Sequence, residues 1–333
     1  MPGASVPARN VQPDLAALIA AALGRPVAAD ERLAIATSGG PDSLALLSLA
    51  AAAFPGRVTA LTVDHRLRSD AAAEAASVAT QCAAHGLPHV TLVRDGTAFA
   101  SNVQARARAA RYALMGDWCA AHGHGLLLTA HHADDQAETL LMRLNRASGS
   151  EGLAAIRPAR LLQPGVMLVR PLLAVRKADL AAIVAADGWL PVDDPSNRDP
   201  RHDRTQVRAL LAATPALDVA ALAASAAHLA ADAEALAWAA DLAWAGRVQE
   251  ADGRLLVDAG GLPAALVQRL LARAVETLAE RPVRGSDIAR LAARLGDGAS
   301  GTLAGIVARP GTIWQLSVTR PPQNGGKKPQ NAT

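Results

Sequence analysis

A short glycine-containing segment places two hydroxyl groups and a carboxylate where an apolar, strand-like run gives way to a helical one. The segment consists of Ser38, Gly39, Gly40, Pro41, Asp42 and Ser43. Two glycines let the backbone curl so that successive N–H groups point inward, and the following helix turns its positive dipole end toward them. The segment therefore predicts a phosphate-binding loop, with Ser38 and Ser43 as hydroxyl donors and Asp42 as a ligand for Mg²⁺.

Two other interpretations of this loop are a turn without a ligand and a Walker A loop. A tight strand–helix turn would need no ligand, and Ser38 or Asp42 would then only cap the helix. The loop also lacks the GxxxxGK[ST] pattern of a Walker A sequence, so it is a different kind of phosphate loop.

A second polar cluster follows a later apolar run, within residues 129–139. The residues of this cluster whose side chains can bind a metal ion or transfer a proton are His131, His132, Asp134, Asp135 and Glu138. Glu138 lies four residues after Asp134 and three after Asp135, so on a helix these carboxylates share one face. We expect Asp134 and Asp135 to bind Mg²⁺, and Asp135 or Glu138 to accept a proton. A transition-metal site through His131 and His132 is disfavoured because adjacent residues point in different directions, while simple helix capping stays open.

Arginines recur in two further segments. Arg108 and Arg111 lie three residues apart on a long helical run, and therefore on one face of it. Arg201, Arg204 and Arg208 follow the turn-like residues 193–197. Guanidinium groups bind phosphate through two parallel hydrogen bonds, although a solvated basic face or an ordinary turn would give the same pattern.

The elements that position these residues alternate between strand-like and helical runs. Strands are predicted at 33–37, 57–63, 89–93, 126–129 and 166–169, and helices at 43–53, 70–85, 102–122, 133–146 and 176–186. An additional first helix should open at Pro13-Asp14. This alternation predicts an α/β domain with a parallel, Rossmann-like sheet, in which the loop at 38–43 and the cluster at 129–139 share the carboxyl edge where ligands bind.

The pattern changes after about residue 210. Residues 216–247, 262–280 and 286–295 are predicted to be helical, and residues 311–318 resemble a closing strand. We therefore predict a catalytic domain at 1–214, a mainly helical substrate-binding domain at 215–320 and a disordered tail at 321–333.

Net charge, cysteine spacing and the length of apolar stretches argue for or against several classes of protein. The 333 residues carry a net charge of +3, which permits nucleic-acid binding without requiring it. The two cysteines, Cys82 and Cys119, form no CxxC pair, so neither a zinc ribbon nor a dithiol redox site is supported. Two lone thiols fit a reducing cytoplasm, and no stretch of about 18 strongly apolar residues predicts a membrane span.

The loop at 38–43 resembles the PP-loop of the N-type ATP pyrophosphatases. Three further segments resemble more closely the signatures of the tRNA(Ile)-lysidine synthetase family. They are Asp64 to Arg68, whose counterpart in the family follows the second strand and faces the nucleotide, the residues Asn102, Arg108, Arg111 and Tyr112, and the run from Thr129 to Gly149. Gln104, Ala147 and Thr205 depart from the family pattern. The resemblance extends over about residues 30–212, and it is weaker in the C-terminal part.

The resemblance implies an activity and its participants. The family uses ATP and Mg²⁺ to adenylate the wobble cytidine of a tRNA(Ile) with a CAU anticodon, and then attaches L-lysine at C2. The loop at 38–43 would bind ATP, and Asp42, Asp135, Glu138 and Arg111 would be catalytic. The C-terminal region would hold the tRNA in a cytoplasmic protein, with a homodimer as one expected assembly. The alternatives are a PP-loop tRNA thiolase, a small-molecule synthetase and a non-catalytic RNA- or nucleotide-binding module.

Overall fold

The computed structural model describes residues 12–66, 71–95, 101, 103–192 and 203–319. Asn102, residues 193–197, Arg201 and the predicted tail at 321–333 lie outside these ranges. The chain divides into two compact units, Met1–Ala230 and Ala231–Thr333. This division falls inside a long helix, later in the chain than the boundary that the sequence pattern placed after residue 214.

The first unit is built on a six-stranded sheet. Its strands are β1 (Leu33–Ala36), β2 (Val58–Asp64), β3 (His89–Val93), β4 (Leu126–Leu128), β5 (Ala159–Gln163) and β6 (Val166–Val169). Their order is β3-β2-β1-β4-β6-β5, and every neighbouring pair is parallel except β5 with β6. The predicted parallel sheet is confirmed, with β5 as an additional antiparallel edge strand.

Helices of the first unit connect and cover these strands. They are α1 (Leu15–Leu23), α2 (Pro41–Ala53), α3 (Ala71–Ala84), α4 (Val103–Ala121), α5 (Ala133–Leu144), α6 (Ser150–Leu153), α7 (Lys177–Ala186), α8 (Asp203–Ala213) and the start of α9 (Val219–Arg247). Asp14 caps α1 by accepting the Ala17 N–H at 3.0 Å, as the sequence predicted for a first helix opening at this point.

The sheet is buried on both faces, and alternate residues of β1 serve different cores. Leu33 and Ile35 pack with the apolar residues of α1, α2 and α7, in a cluster that also contains Cys82 of α3. Ala34 faces a second cluster, to which α4 contributes Cys119. Two covered faces explain why β1 is apolar throughout, and they leave the carboxyl ends of the strands as the open edge of this α/β fold.

The second unit combines helices with a five-stranded antiparallel sheet of order β7-β8-β11-β10-β9. Its elements after α9 are β7 (Val248–Ala251), β8 (Arg254–Val257), α10 (Ala264–Ala279), α11 (Gly285–Gly296), β9 (Gly301–Leu303), β10 (Ile306–Arg309) and β11 (Trp314–Val318). The sequence predicted its helices and β11 and missed the other four strands. Asp252-Gly253, both at positive φ, joins β7 to β8 in the hairpin turn that this dipeptide favours, so a signal for that pair was present.

One helix among the described residues, α9, is long and apolar enough by length and composition to cross a membrane. The sequence predicted no membrane span, because alanine supplies most of the apolar character of α9. A lone helix of this kind is weak evidence for a membrane span, since helices of soluble proteins pass the same test.

Candidate active site

The loop between β1 and α2 depends on a glycine at its second position. Gly39 adopts φ +82°, a left-handed conformation that side chains disfavour. A Cβ atom at Gly39 would lie 2.9 Å from Cγ2 of Val78 and 3.3 Å from Cγ2 of Val192. The Gly39 carbonyl also accepts the Val192 N–H at 2.9 Å. The loop backbone is therefore packed closely against two other segments, which fixes its shape.

Two serines hold the loop from inside. Ser43 Oγ accepts the Ser38 N–H at 3.1 Å and donates to the Gly40 carbonyl at 2.9 Å, and the two hydroxyl oxygens lie 3.3 Å apart. Pro41 occupies the first turn of α2, where its missing N–H costs nothing. The remaining amides of that first turn have no partner within the helix, which makes the turn suitable for an anion.

A cavity of about 440 Å³ opens beside this loop at the carboxyl edge of the sheet. Of the residues predicted for the site, Ser38, Asp42, Ser43, Arg111 and Asp135 line it. Other lining residues that carry polar groups are Thr37, Thr62, His65, Glu74, Tyr112, Thr129, His131 and Arg204. The predicted loop and the predicted acidic cluster thus meet in one cavity, whereas Asp134 and Glu138 are absent from its lining.

His132 lies between the carboxylates, and its side chain is only 3% exposed. Its Nε2 is 3.4 Å from Asp42 Oδ2 and 3.5 Å from Asp135 Oδ2, and its Nδ1 is 3.6 Å from Asp134 Oδ2. Burial alone lowers the pKa of His132, but the neighbouring carboxylates outweigh it and raise the pKa to about 9. The resulting imidazolium offsets the negative charge that these carboxylates bring together.

Asp134 is bound by groups from the start of α7. Its Oδ2 accepts the Lys177 N–H at 2.9 Å, and the Arg176 guanidinium lies 3.3 Å from each carboxylate oxygen. Burial opposes ionisation of Asp134, yet contacts with His132, Lys177 and Arg176 hold its pKa well below the usual range. These contacts join α5 to α7 and leave Asp134 less free than Asp42 or Asp135 to bind a metal ion, although its predicted role as a metal ligand stays a prediction.

Glu138 is enclosed by two arginines of α8. Its side chain is 2% exposed, with Oε1 2.8 Å from Arg208 Nε and Oε2 3.2 Å from Arg204 Nε. Both carboxylate oxygens thus face guanidinium groups, so Asp135 is the more available proton acceptor. The sequence predicted Glu138 as a site residue but did not pair it with the arginines that follow the turn.

Arg111 supplies an unpaired positive charge at the cavity. Burial lowers its pKa, the neighbouring Arg108 adds to this, and the Tyr112 ring opposes it. Its guanidinium lies 5.8 Å from the Tyr112 ring centroid, and none of the described residues accepts a hydrogen bond from it. A phosphate group would supply the missing acceptor in two-pronged geometry.

The fit to Mg²⁺ rests on Asp42 and Asp135. Among the described residues, no group of three or more His, Cys, Asp or Glu side chains is arranged to hold a metal ion. Protein-bound Mg²⁺ commonly takes one or two carboxylates and completes its shell with phosphate oxygens and water. Asp42 Oδ1 is buried and has no hydrogen-bond partner, so a bound cation would supply the interaction that this oxygen lacks.

The sequence predicted neither Thr62 nor Arg176 at the site. Thr62 and His65 lie near the end of β2 and line the cavity, and burial lowers the pKa of His65. His65 belongs to the segment that the family resemblance singled out after the second strand, whereas His132 was predicted only as a disfavoured metal ligand. The end of a strand in a parallel sheet was the available signal for Thr62, while the position of Arg176 depends on how α7 packs.

The charge on His132 predicts a pH dependence of stability. The folded protein holds this proton more tightly than the unfolded chain, because the pKa is about 9 rather than 6.5. The stabilisation is fully present below pH 6.5 and is lost as the pH rises toward 9, and it is on the order of 3 kcal/mol at most. His132→Asn should therefore lose less stability than the wild type between about pH 6.5 and pH 9 in denaturant titrations. His228→Asn, at an exposed position on α9, is the control, and parallel curves for the wild type and His132→Asn would contradict the assignment.

Comparison with known proteins shows the family to which the chain belongs. A family model described as a PP-loop domain matches residues 8–214. A tRNA(Ile)-lysidine synthase from Novosphingobium aromaticivorans is 46% identical over 86% of this chain and 88% of its own length. The chain belongs to the tRNA(Ile)-lysidine synthase family. The synthase from Zymomonas mobilis is 42% identical, also over 86% of this chain and 88% of its own length.

A solved structure supports the fold of this lysidine synthase family member. The U34-tRNA thiolase from Methanococcus maripaludis superimposes with a TM-score of 0.53 and 15% sequence identity, covering 67% of this chain and 78% of its own. At this identity the likeness concerns the fold alone. The family resemblance inferred from the motifs at 38–43, 102–112 and 129–149 is confirmed.

Proposed function

We propose that this protein ligates lysine to C2 of the wobble cytidine in a tRNA(Ile) with a CAU anticodon, at the expense of ATP. The observation that carries the proposal is that the PP-loop, Arg111 and the carboxylates of Asp42 and Asp135 line one cavity. The names of the relatives support lysidine formation in tRNA(Ile). L-lysine as the second substrate and the cytoplasm as the compartment belong to the same proposal, and a homodimer stays a prediction.

In the first step, O2 of the cytidine attacks the α phosphorus of ATP. A bond forms between O2 and the α phosphorus, the bond to the bridging oxygen breaks, and pyrophosphate leaves with that oxygen. The loop at 38–43 would position the phosphates through backbone N–H groups, and Arg111 would compensate their charge. Asp42 and Asp135 would hold Mg²⁺, which neutralises phosphate charge during such reactions.

In the second step, the lysine ε-amine attacks C2 and AMP leaves. Because the pKa of free lysine is about 10.4, the amine must give up a proton before or during the attack. Asp135 is better placed than Glu138 to accept it, since it lines the cavity and guanidinium groups cover both oxygens of Glu138. The cytidine must leave its stack to reach the cavity, as single-stranded RNA readout requires.

A thiolase activity is less consistent with the two cysteines. Burial raises the pKa of Cys82 to about 11 and that of Cys119 to about 12. Both thiols are buried and protonated at neutral pH, so neither resembles a sulfur-transferring nucleophile.

The direct test is incorporation of labelled lysine into a tRNA(Ile) transcript with a CAU anticodon, in the presence of ATP and Mg²⁺. We expect stable, ATP-dependent label on this RNA and none on a methionine tRNA control. Absence of label, together with pyrophosphate release on another acceptor, would reject lysidine formation and retain a different PP-loop reaction.

A further inference from the structure

Four arginines surround the buried ring of Tyr112 in the first unit. The guanidinium carbons of Arg108, Arg111 and Arg160 lie 5.1, 5.8 and 5.6 Å from the ring centroid. The fourth, Arg170, lies near the Tyr112 hydroxyl, which accepts a hydrogen bond from Arg108 at 3.2 Å. The electron-rich ring face partly compensates these charges.

Carboxylates do not balance this arginine cluster. Within the described ranges, none of these four arginines forms an ion pair with an aspartate or glutamate. The neighbouring His131 shows the effect, because burial first and then Arg170 and Arg108 hold its pKa well below the ordinary value. So many cations at short range repel one another, and a bound anion would relieve that repulsion.

Only part of the cluster serves the ATP cavity. Arg111 lines the cavity, whereas Arg108, Arg160 and Arg170 do not. Arg170 is anchored by donating to the Arg157 carbonyl at 2.8 Å, while Arg108 and Arg160 are exposed. Arg160 lies on β5, the edge strand of the sheet. Of the three substrates, ATP belongs in the cavity, and free lysine carries two ammonium groups against one carboxylate, so its net charge is positive. The RNA backbone is the substrate that presents anionic groups along its whole length.

We propose that Arg160 and Arg108 bind a backbone phosphate of the anticodon loop outside the ATP cavity, beside the nucleotide that enters it. This inference rests on the proposed function and adds an RNA-positioning site to it. Tyr112 orients the two exposed guanidinium groups, and Arg111 separates this phosphate from those of ATP. The site fixes the position of the strand and reads no base.

The test compares Arg160→Gln, Arg108→Gln and the double variant with the wild type, in binding to the tRNA(Ile) transcript across a range of salt concentrations. Each single variant should weaken tRNA binding on the order of 3- to 10-fold at moderate salt. The double variant should also reduce the slope of log affinity against log salt by about 0.7, because it removes the contact with one phosphate. Affinity for a non-hydrolysable ATP analogue should stay at the wild-type value.

Arg106→Gln is the matched control, because Arg106 is exposed on α4 two residues from Arg108 and therefore points away from it. Wild-type tRNA affinity and salt slope in Arg160→Gln would overturn the inference, as would an equal effect of Arg106→Gln or a parallel loss of ATP-analogue binding. Lysine transfer by the wild type is measured first. If the wild type transfers lysine and Arg160→Gln binds tRNA normally, only this inference fails. If the wild type neither transfers lysine nor binds tRNA, the proposed function is rejected as well.

Discussion

Asp42→Asn is expected to reduce pyrophosphate release and lysine incorporation by about 10³-fold or more while the protein stays folded. Asp42 lines the cavity beside the phosphate loop, and its buried Oδ1 has no hydrogen-bond partner. Asparagine keeps the size of the side chain but removes the negative charge that a cation requires. Steady-state pyrophosphate release and thermal unfolding, measured on the same preparation, check both parts of this expectation.

Asp117→Asn is a suitable control for the Asp42 variant, because Asp117 is exposed on α4. Its substitution changes the net charge by the same amount as Asp42→Asn. The control should retain wild-type activity. Pyrophosphate release by Asp42→Asn within a few-fold of the wild type would mean that Asp42 does not act on the nucleotide. A large drop in its unfolding temperature would instead assign Asp42 a structural role with His132.

Replacing both Arg204 and Arg208 with methionine is expected to lower the free energy of unfolding by about 3–5 kcal/mol. The cost arises because Glu138 is 2% exposed and would keep a buried, uncompensated charge. The arginines themselves are 42% and 41% exposed, so removing Glu138 instead leaves groups that water can still reach. Denaturant unfolding of Arg204→Met/Arg208→Met measures the effect.

Adding Glu138→Gln to that double variant separates stability from activity. A neutral amide is much less costly to bury than an unpaired carboxylate, so the triple variant should regain most of the lost stability. Lysine incorporation should not return, because Arg204 lines the cavity and its guanidinium remains absent. A double variant as stable as the wild type would show that the ion pairs around Glu138 contribute little.

Much of the first unit could be predicted because burial imposes a simple pattern on the sequence. β1 is apolar throughout since both faces of the sheet are covered, and α2 begins with a proline that directly follows two glycines. β5 was missed because an edge strand has weaker constraints, and its Leu161 is 61% exposed. β7 to β10 are three or four residues long, too short for a period of two to stand out.

The sequence identified candidate residues for the site, but it did not identify the ion pairs that they form. The loop at 38–43 and the run at 129–139 supply groups that chain order alone brings to one edge of the sheet. The partners of Asp134 and Glu138 lie far along the chain, at Arg176 and Arg208, and no local rule selects them. Division of the carboxylates into those lining the cavity and those bound by arginine therefore required the tertiary structure.

The two buried cysteines can report partial unfolding of the first unit through their reaction with a thiol reagent. Cys82 belongs to the core cluster on one face of the sheet and Cys119 to the cluster on the other. A thiol-reactive reagent can modify each one only when the layer of helices above it separates from the strands. The labelling rate at each cysteine would thus measure how often the helix layer that covers it opens, without an engineered reporter. The cysteine that is labelled faster would identify the layer that opens more readily.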